Sequence, residues 1–293
     1  MTIHANMPAA EYHARPELNF SRLKRIEKSP FHFRHAPAET SSAFALGSAT
    51  HTAILEQEQF HARYRRQGAT IRRGKEWDAE LEHATLAGQE ILTGKDYDAA
   101  QHMADMVSSK PAARRLLLGA RKELTVISTL QGVPVRCRID FVQPGNVRSE
   151  GVSLHGAMGD LKSCRDLSRF ASDVERYLYL AQAAFYSDIW TEETGEKLPW
   201  KWLAVENSPP HDCAVVATSE ADIEAGRVVY LNWMAKHAES VVSGQWPGVD
   251  GGAEEIQLVR PRWASRTAEV DDAEGGYDFN MSETDEGIPV DEA

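Results

Sequence analysis

The strongest constraint on this chain is a change of rhythm at Glu123. Upstream, apolar residues recur at helical spacing. From Glu123 onward two β-branched segments, Glu123 to Leu130 (ELTVISTL) and Val133 to Val142 (VPVRCRIDFV), are separated only by Gln131-Gly132. That spacing predicts a β-hairpin. A loop rich in Gly and Ser follows, then a third short strand, Ala157 to Cys164 (AMGDLKSC). The helical period returns from Asp173 to Trp190, with Val174, Leu178, Ala181, Phe185 and Ile189 on one face. Strands at Lys201 to Glu206 and Cys213 to Ala217 and a closing helix from Ala221 to Val242 complete the order. Helices, three strands, helix, two strands, helix is the order of an α/β fold with a central mixed sheet flanked by helices.

The region before the sheet reads as helical. Asn19 or Ser21 caps a helix through Leu23 and Ile26, and Ser29-Pro30 opens the next. Ala43 to Leu55 is apolar at helical spacing. Residues 63 to 77 (RYRRQGATIRRGKEW) hold six bases against one acid and predict an exposed loop. Asp78 to Leu92 and Asp96 to Val107 predict amphipathic helices, and Pro111 opens a short third one. The domain expected is 1–266, with a helical part to about 120 and a sheet core over about 121–245. Beyond it, 267–293 carries ten acids and neither Lys nor Arg, the composition of a solvated, disordered tail.

Charge distribution matters more than the net charge of −12. Without that tail the chain has 34 acids and 32 bases, and residues 1–75 alone carry twelve bases against six acids. A nearly neutral body with a basic N-terminal third is compatible with a polyanionic partner. No apolar run approaches the ~18 residues that cross a bilayer, and the N-terminus has no secretory pattern. Cys137, Cys164 and Cys213 form no CxxC pair, so they read as reduced, buried thiols of a cytosolic protein.

Four elements carry candidate chemistry. Asp160 and Lys162 alternate onto one face of the third strand, a carboxylate beside an amine. Asp140 ends the preceding strand's apolar run; if it converges with Asp160, the pair repels unless a cation neutralises it, and Mg2+ is the oxygen-seeking candidate. Gln182 and Tyr186 share one side of the following helix. His51 lies four residues after Gly47 on an apolar helix, where a lone histidine more often belongs to the core.

The order G47-xxx-H51, R138-I139-D140, D160-x-K162, Q182-xxx-Y186 resembles the RecB-like branch of the PD-(D/E)xK nucleases. The opening YHARPELNFSRLKRIEKSPFHF and the later ALGSATHTAILEQEQF narrow the resemblance to the exonuclease VIII (RecE)-like family of phages and prophages. It covers about residues 10–245. The resemblance implies a PD-(D/E)xK core in which His51, Asp140, Asp160 and the Leu161 backbone carbonyl bind Mg2+, or Mn2+. It implies that Lys162 orients or deprotonates the attacking water, and that Gln182 and Tyr186 contact the DNA backbone or brace the metal site. Glu123 is an auxiliary candidate. Three cysteines are one too few for the iron–sulfur members, so no iron–sulfur cluster is expected.

As phosphate contacts the bases of residues 63–75 (Arg63, Arg65, Arg66, Arg72, Arg73 and Lys75) are expected with Arg15, Lys24, Arg25 and Lys28, and Ser21 and Ser29 stand at helix N-termini near a terminal 5′-phosphate. The activity implied is a Mg2+-dependent exodeoxyribonuclease acting on double-stranded DNA ends, 5′ to 3′, to expose a 3′ strand for recombination. A RecT-type single-strand annealing protein, a ring-shaped homo-oligomer and the bacterial cytosol or nucleoid are implied with it. The alternatives are a structure-specific or restriction-like endonuclease on the same core and a catalytically idle DNA-end-binding protein.

Overall fold

The structure, a computed structural model, describes residues 2–37, 43–149, 152–257 and 259. Among these residues the strands are β1 (Ile3–Ala5), β2 (Tyr64–Arg66), β3 (Glu90–Leu92), β4 (Arg121–Leu130), β5 (Val133–Ser149), β6 (Val152–Cys164), β7 (Trp200–Glu206) and β8 (Cys213–Ala217). The helices are α1 (Ala9–Ala14), α2 (Phe20–Leu23), α3 (Pro30–His35), α4 (Ala43–Leu55), α5 (Gln57–Arg63) and α6 (Lys75–Ala87). They continue with α7 (Gly94–Ser109), α8 (Pro111–Leu117), α9 (Phe170–Arg176), α10 (Tyr179–Thr194) and α11 (Glu220–Ser243). Met1–Gly251 forms one compact unit; in the second, Gly252–Ala293, the described residues contain neither helix nor strand. The acidic stretch 267–293 lies outside the described residues.

Six strands make one mixed sheet in the order β1-β4-β5-β6-β7-β8. Its pairings are antiparallel except β6 with β7, which run parallel because α9 and α10 carry the chain across between them. Alternation divides the strand side chains between two cores. Leu124, Val126, Cys137, Ile139, Met158 and Trp202 pack with Phe185 and Ile189 of α10 and Trp233 of α11. Phe141, Leu161, Leu203 and Val205 pack on the other face with Ala49 and Ala53 of α4 and Met103 of α7. Two glycines permit the closest approaches. A Cβ on Gly159 would collide with the Lys201 carbonyl and the Phe141 ring, and one on Gly226 with the Leu180 carbonyl where α11 meets α10.

The structure corrects several boundaries. The expected loop after Val142 is a continuation of the hairpin: β5 and β6 stay paired beyond it, with a register shift between Gly145 and Val147. The glycines that suggest a loop serve a bulge. The helix expected over Asp78 to Leu92 starts at Lys75 and stops at Ala87, because Gly88 takes the left-handed cap and Gln89 N–H donates back to the Ala84 carbonyl. Glu90–Leu92 instead pairs parallel with Tyr64–Arg66, inside the segment expected to be loop. The single helix expected from Asp173 to Trp190 is two, broken at Leu178 with φ +59°. Asn19, not Ser21, caps α2, accepting from the Arg22 amide at 3.0 Å.

Candidate metal centre

Three distant parts of the chain meet on one imidazole. His51 on α4 has Nδ1 3.6 Å from Asp140 Oδ2 and 3.9 Å from Glu123 Oε1. Ligand atoms of His51, Glu123 and Asp140 all lie within 4.8 Å of one another. β4 and β5 bring the two carboxylates together: Lys122 pairs with Phe141 and Leu124 with Ile139, which sets Glu123 opposite Asp140. Strict alternation fails at this step. Ile139 and Val142 both join the α10-side core while Phe141 joins the α4-side core, and Glu123 sits at φ +50°, in the left-handed region.

The Leu161 peptide ties β6 to this cluster. Its N–H donates to Asp140 Oδ2 at 2.6 Å, and its carbonyl oxygen lies 3.1 Å from His51 Nε2. The carbonyl, expected as a metal ligand, is thus engaged by the imidazole; it orients the ring and leaves Nδ1 toward the carboxylates. Either side of Leu161, Asp160 and Lys162 form an ion pair on the α10 side. Lys162 Nζ donates to Gln182 Oε1 at 3.0 Å, and Gln182 Nε2 lies 3.5 Å from Asp160 Oδ1.

Electrostatics follow from this crowding. Asp140 is only 5% exposed; burial first, and then the Asp160 charge, push its carboxyl well above the usual range, against the pull of His51. Burial alone depresses an imidazole, but Asp140 and Glu123 outweigh it and raise the His51 pKa to about 9. Its side chain nonetheless keeps 36% of its surface exposed, so the cluster opens to solvent there. For Lys162 burial likewise opposes the charge, and the Asp160 carboxylate more than offsets it, so the ammonium form is favoured. Three carboxylates face one lysine and one histidine. With His51 neutral, the deficit equals the charge of one divalent cation, and this donor set fits one.

Other expected site residues fall elsewhere. Tyr186 is 8% exposed, with its ring edge-on to Trp200 and Phe20. Its hydroxyl is hydrogen-bonded with Gln182 and its ring is packed in the α10-side core. The buried Ser29 hydroxyl accepts from the His32 amide and pairs with His32 Nδ1, so it caps α3 and is not free for a phosphate. Ser21 is exposed, and Lys24 donates to the Tyr177 carbonyl at 2.9 Å. Arg15 pairs with Glu17, and Arg25 donates to the Ala36 and Pro37 carbonyls. Arg72, Arg73, Lys75 and Lys28 are exposed, with the Arg72 guanidinium on Gln67 and over the Trp77 ring. The strength of Glu123 is what the sequence understates: a strand-opening Glu carries no mark of the left-handed backbone that aims it inward.

A mixed sheet whose neighbouring strands present acid, acid and lysine is the arrangement of a PD-(D/E)xK core. The chain belongs to the family described as "PDDEXK-like domain of unknown function (DUF3799)", whose model matches residues 19–260. A crystal structure from Eubacterium rectale, provisionally described as an exonuclease, shares the fold with a TM-score of 0.59 at 14% identity, over 91% of this chain and 100% of that one. No curated protein matches. Among the described residues no helix is long and apolar enough to cross a membrane.

Proposed function

We propose that this chain is a divalent-metal-dependent exodeoxyribonuclease of the RecE-like type. It would degrade one strand of linear double-stranded DNA, 5′ to 3′, and leave a 3′ single strand for recombination. The observation that carries this reading is the convergence of His51, Glu123 and Asp140, with the Asp160–Lys162 ion pair on the neighbouring strand β6. His51, Glu123 and Asp140 would hold Mg2+ or Mn2+, with Asp160 completing the set. When bound, such an ion acidifies its water and polarises the scissile phosphate.

The protein's own groups do the rest. Lys162, kept cationic by Asp160, supplies a fixed positive charge for the phosphate oxygens and orients the attacking water. Gln182 fixes the amine, and Tyr186 behind it keeps the amide from turning away. Phosphate contacts by Ser21, Lys24 and the loop bases Arg72, Arg73 and Lys75, a ring-shaped homo-oligomer and a RecT-type annealing partner belong to the same reading.

The test is a time course on end-labelled linear duplex with 5′-phosphate or 5′-hydroxyl termini, with and without Mg2+, beside supercoiled circular DNA. Metal-dependent shortening from the 5′ end with intact circles is expected. Nicked circles would turn the assignment to a restriction-like endonuclease. No cleavage with Mg2+ or Mn2+, and an Asp160→Ala variant that behaves as the parent, would leave an idle DNA-end-binding protein.

A further inference from the structure

A file of aromatic rings leads outward from the Lys162 ammonium. Lys162 Nζ lies 4.5 Å from the centroid of the Tyr179 ring. Tyr179 stacks on Tyr177, with centroids 5.6 Å apart and planes at 29°. Behind Tyr179 stands buried Phe170, at 6.3 Å. Tyr177 ends the file with 43% of its surface exposed, and the Arg176 guanidinium lies 5.5 Å from its ring.

This stack exists only because the helix is interrupted. In a continuous helix, residues two apart point to different sides and cannot stack. Leu178 adopts φ +59° between the two tyrosines, a conformation that a leucine takes against steric resistance. Lys24 pins the same turn by donating to the Tyr177 carbonyl. The break brings Tyr177 round onto Tyr179, and the pair onto the side of Lys162.

We propose that Tyr177, backed by Tyr179, is the stacking platform for the unpaired nucleobase next to the scissile phosphate. A flat, half-exposed ring one stacking step from a catalytic ammonium fits a base, and the exposed Arg176 guanidinium, which lies over that ring, would give way to the base and meet its phosphate. Every base has a π-face, so the platform holds a strand of any sequence in line with the metal-facing carboxylates. It rests on the nuclease reading above.

The test uses DNA ends carrying 2-aminopurine at successive positions, bound to full-length protein in an Asp160→Asn background that leaves the DNA intact. Quenching at one or two adjacent positions is expected. Tyr177→Ala should abolish that quench and weaken binding about tenfold, and Tyr177→Trp should restore both. With an abasic nucleotide at the quenched position, parent and Tyr177→Ala should bind alike, which a purely structural role for Tyr177 would not produce. The platform is overturned if Tyr177→Ala keeps the quench, or if its deficit persists on abasic DNA. If the wild-type chain cleaves linear DNA while Tyr177→Ala cleaves and binds identically, the platform alone falls. If the wild-type chain neither binds nor cleaves DNA, the nuclease reading falls with it.

Discussion

Helix α10 borders two acidic sites that differ in how their charge is answered. Less than two turns past Gln182, Asp188 receives both Nε and Nη2 of Arg227, at 2.7 and 2.8 Å, and the Tyr230 hydroxyl as well. That carboxylate has its cation and its hydrogen bonds, and the group is closed. Around His51, by contrast, Asp140, Glu123 and Asp160 share one imidazole and one ammonium, and burial together with the Asp160 charge makes Asp140 resist ionisation. A recess of about 800 Å3 lined by Asp188 and Arg227 lies at the closed end. Charge deficit, more than concavity, separates a carboxylate kept for chemistry from one kept for packing.

The largest expected effect breaks the comparison on the chemical side. Asp160→Asn or Asp140→Asn should lower the cleavage rate on the order of 10³-fold. In EDTA the thermal midpoint of Asp140→Asn should equal or exceed the parent's, because a neutral isostere removes a buried charge and its repulsion with Asp160. A large loss of stability instead would place Asp140 with Asp188 as a structural acid. Next comes the cation itself. His51 and Asp140 both have raised pKa values in the metal-free fold, so folding takes up protons at both. Their contribution is present below the unfolded values and is lost as pH rises, for His51 between about 6.5 and about 9. Mg2+ should restore it, so the rise in midpoint on adding Mg2+ should grow from pH 6 to pH 9. At a hundredfold excess over Kd the stabilisation should reach about 3 kcal/mol. A pH-independent rise would detach binding from these two groups.

The same contrast explains what was legible in the sequence. Alternation and period locate β4, the start of β5, the end of β6, α10 and α11, because burial on one face repeats every two or 3.6 residues. Asp160, Lys162 and Gln182 come together as regular strand and helix geometry requires. What escaped the pattern was irregular. The positive φ at Glu123 and Leu178 belongs to residues with no glycine to announce it, and the glycines of the long hairpin announced a loop where there is a bulge. Tyr186 carried a motif position but is held by core packing, which a spacing of four residues does not reveal. Ser29 had the right chemistry for a phosphate and already had a helix to cap.

At the closed end the expectation reverses. Asp188→Asn leaves Arg227 and Tyr230 facing a neutral amide and should cost about 2 kcal/mol of stability, read from denaturant midpoints. It should leave the cleavage rate within about twofold, since Asp188 is bonded to Arg227 and Tyr230 of α11 and not to the Lys162–Gln182 pair among the described residues. A rate loss as large as that of Asp160→Asn would mean that the two ends of the helix act as one network.

The smallest effect sharpens the comparison most, because it asks what Glu123 is for. Its backbone is left-handed at φ +50°, which costs a residue with a Cβ about 1 kcal/mol or more. Its carboxylate also adds to the repulsion on Asp140. Glu123→Gly relieves both, at the expense of greater freedom in the unfolded chain, and should stabilise the metal-free protein by about 0.5–1 kcal/mol. The same variant should need more Mg2+ for half-maximal cleavage. Glu123→Gln keeps the backbone strain and removes only the charge, so its metal-free stability should fall between the two. Glu123 faces Asp140 across the hairpin and His51 at 3.9 Å. A stabilised protein with weaker metal affinity is therefore the signature of a residue held under strain for a cation. If Glu123→Gly is instead less stable with its Mg2+ requirement unchanged, its carboxylate serves to anchor the imidazole, as Asp188 serves Arg227.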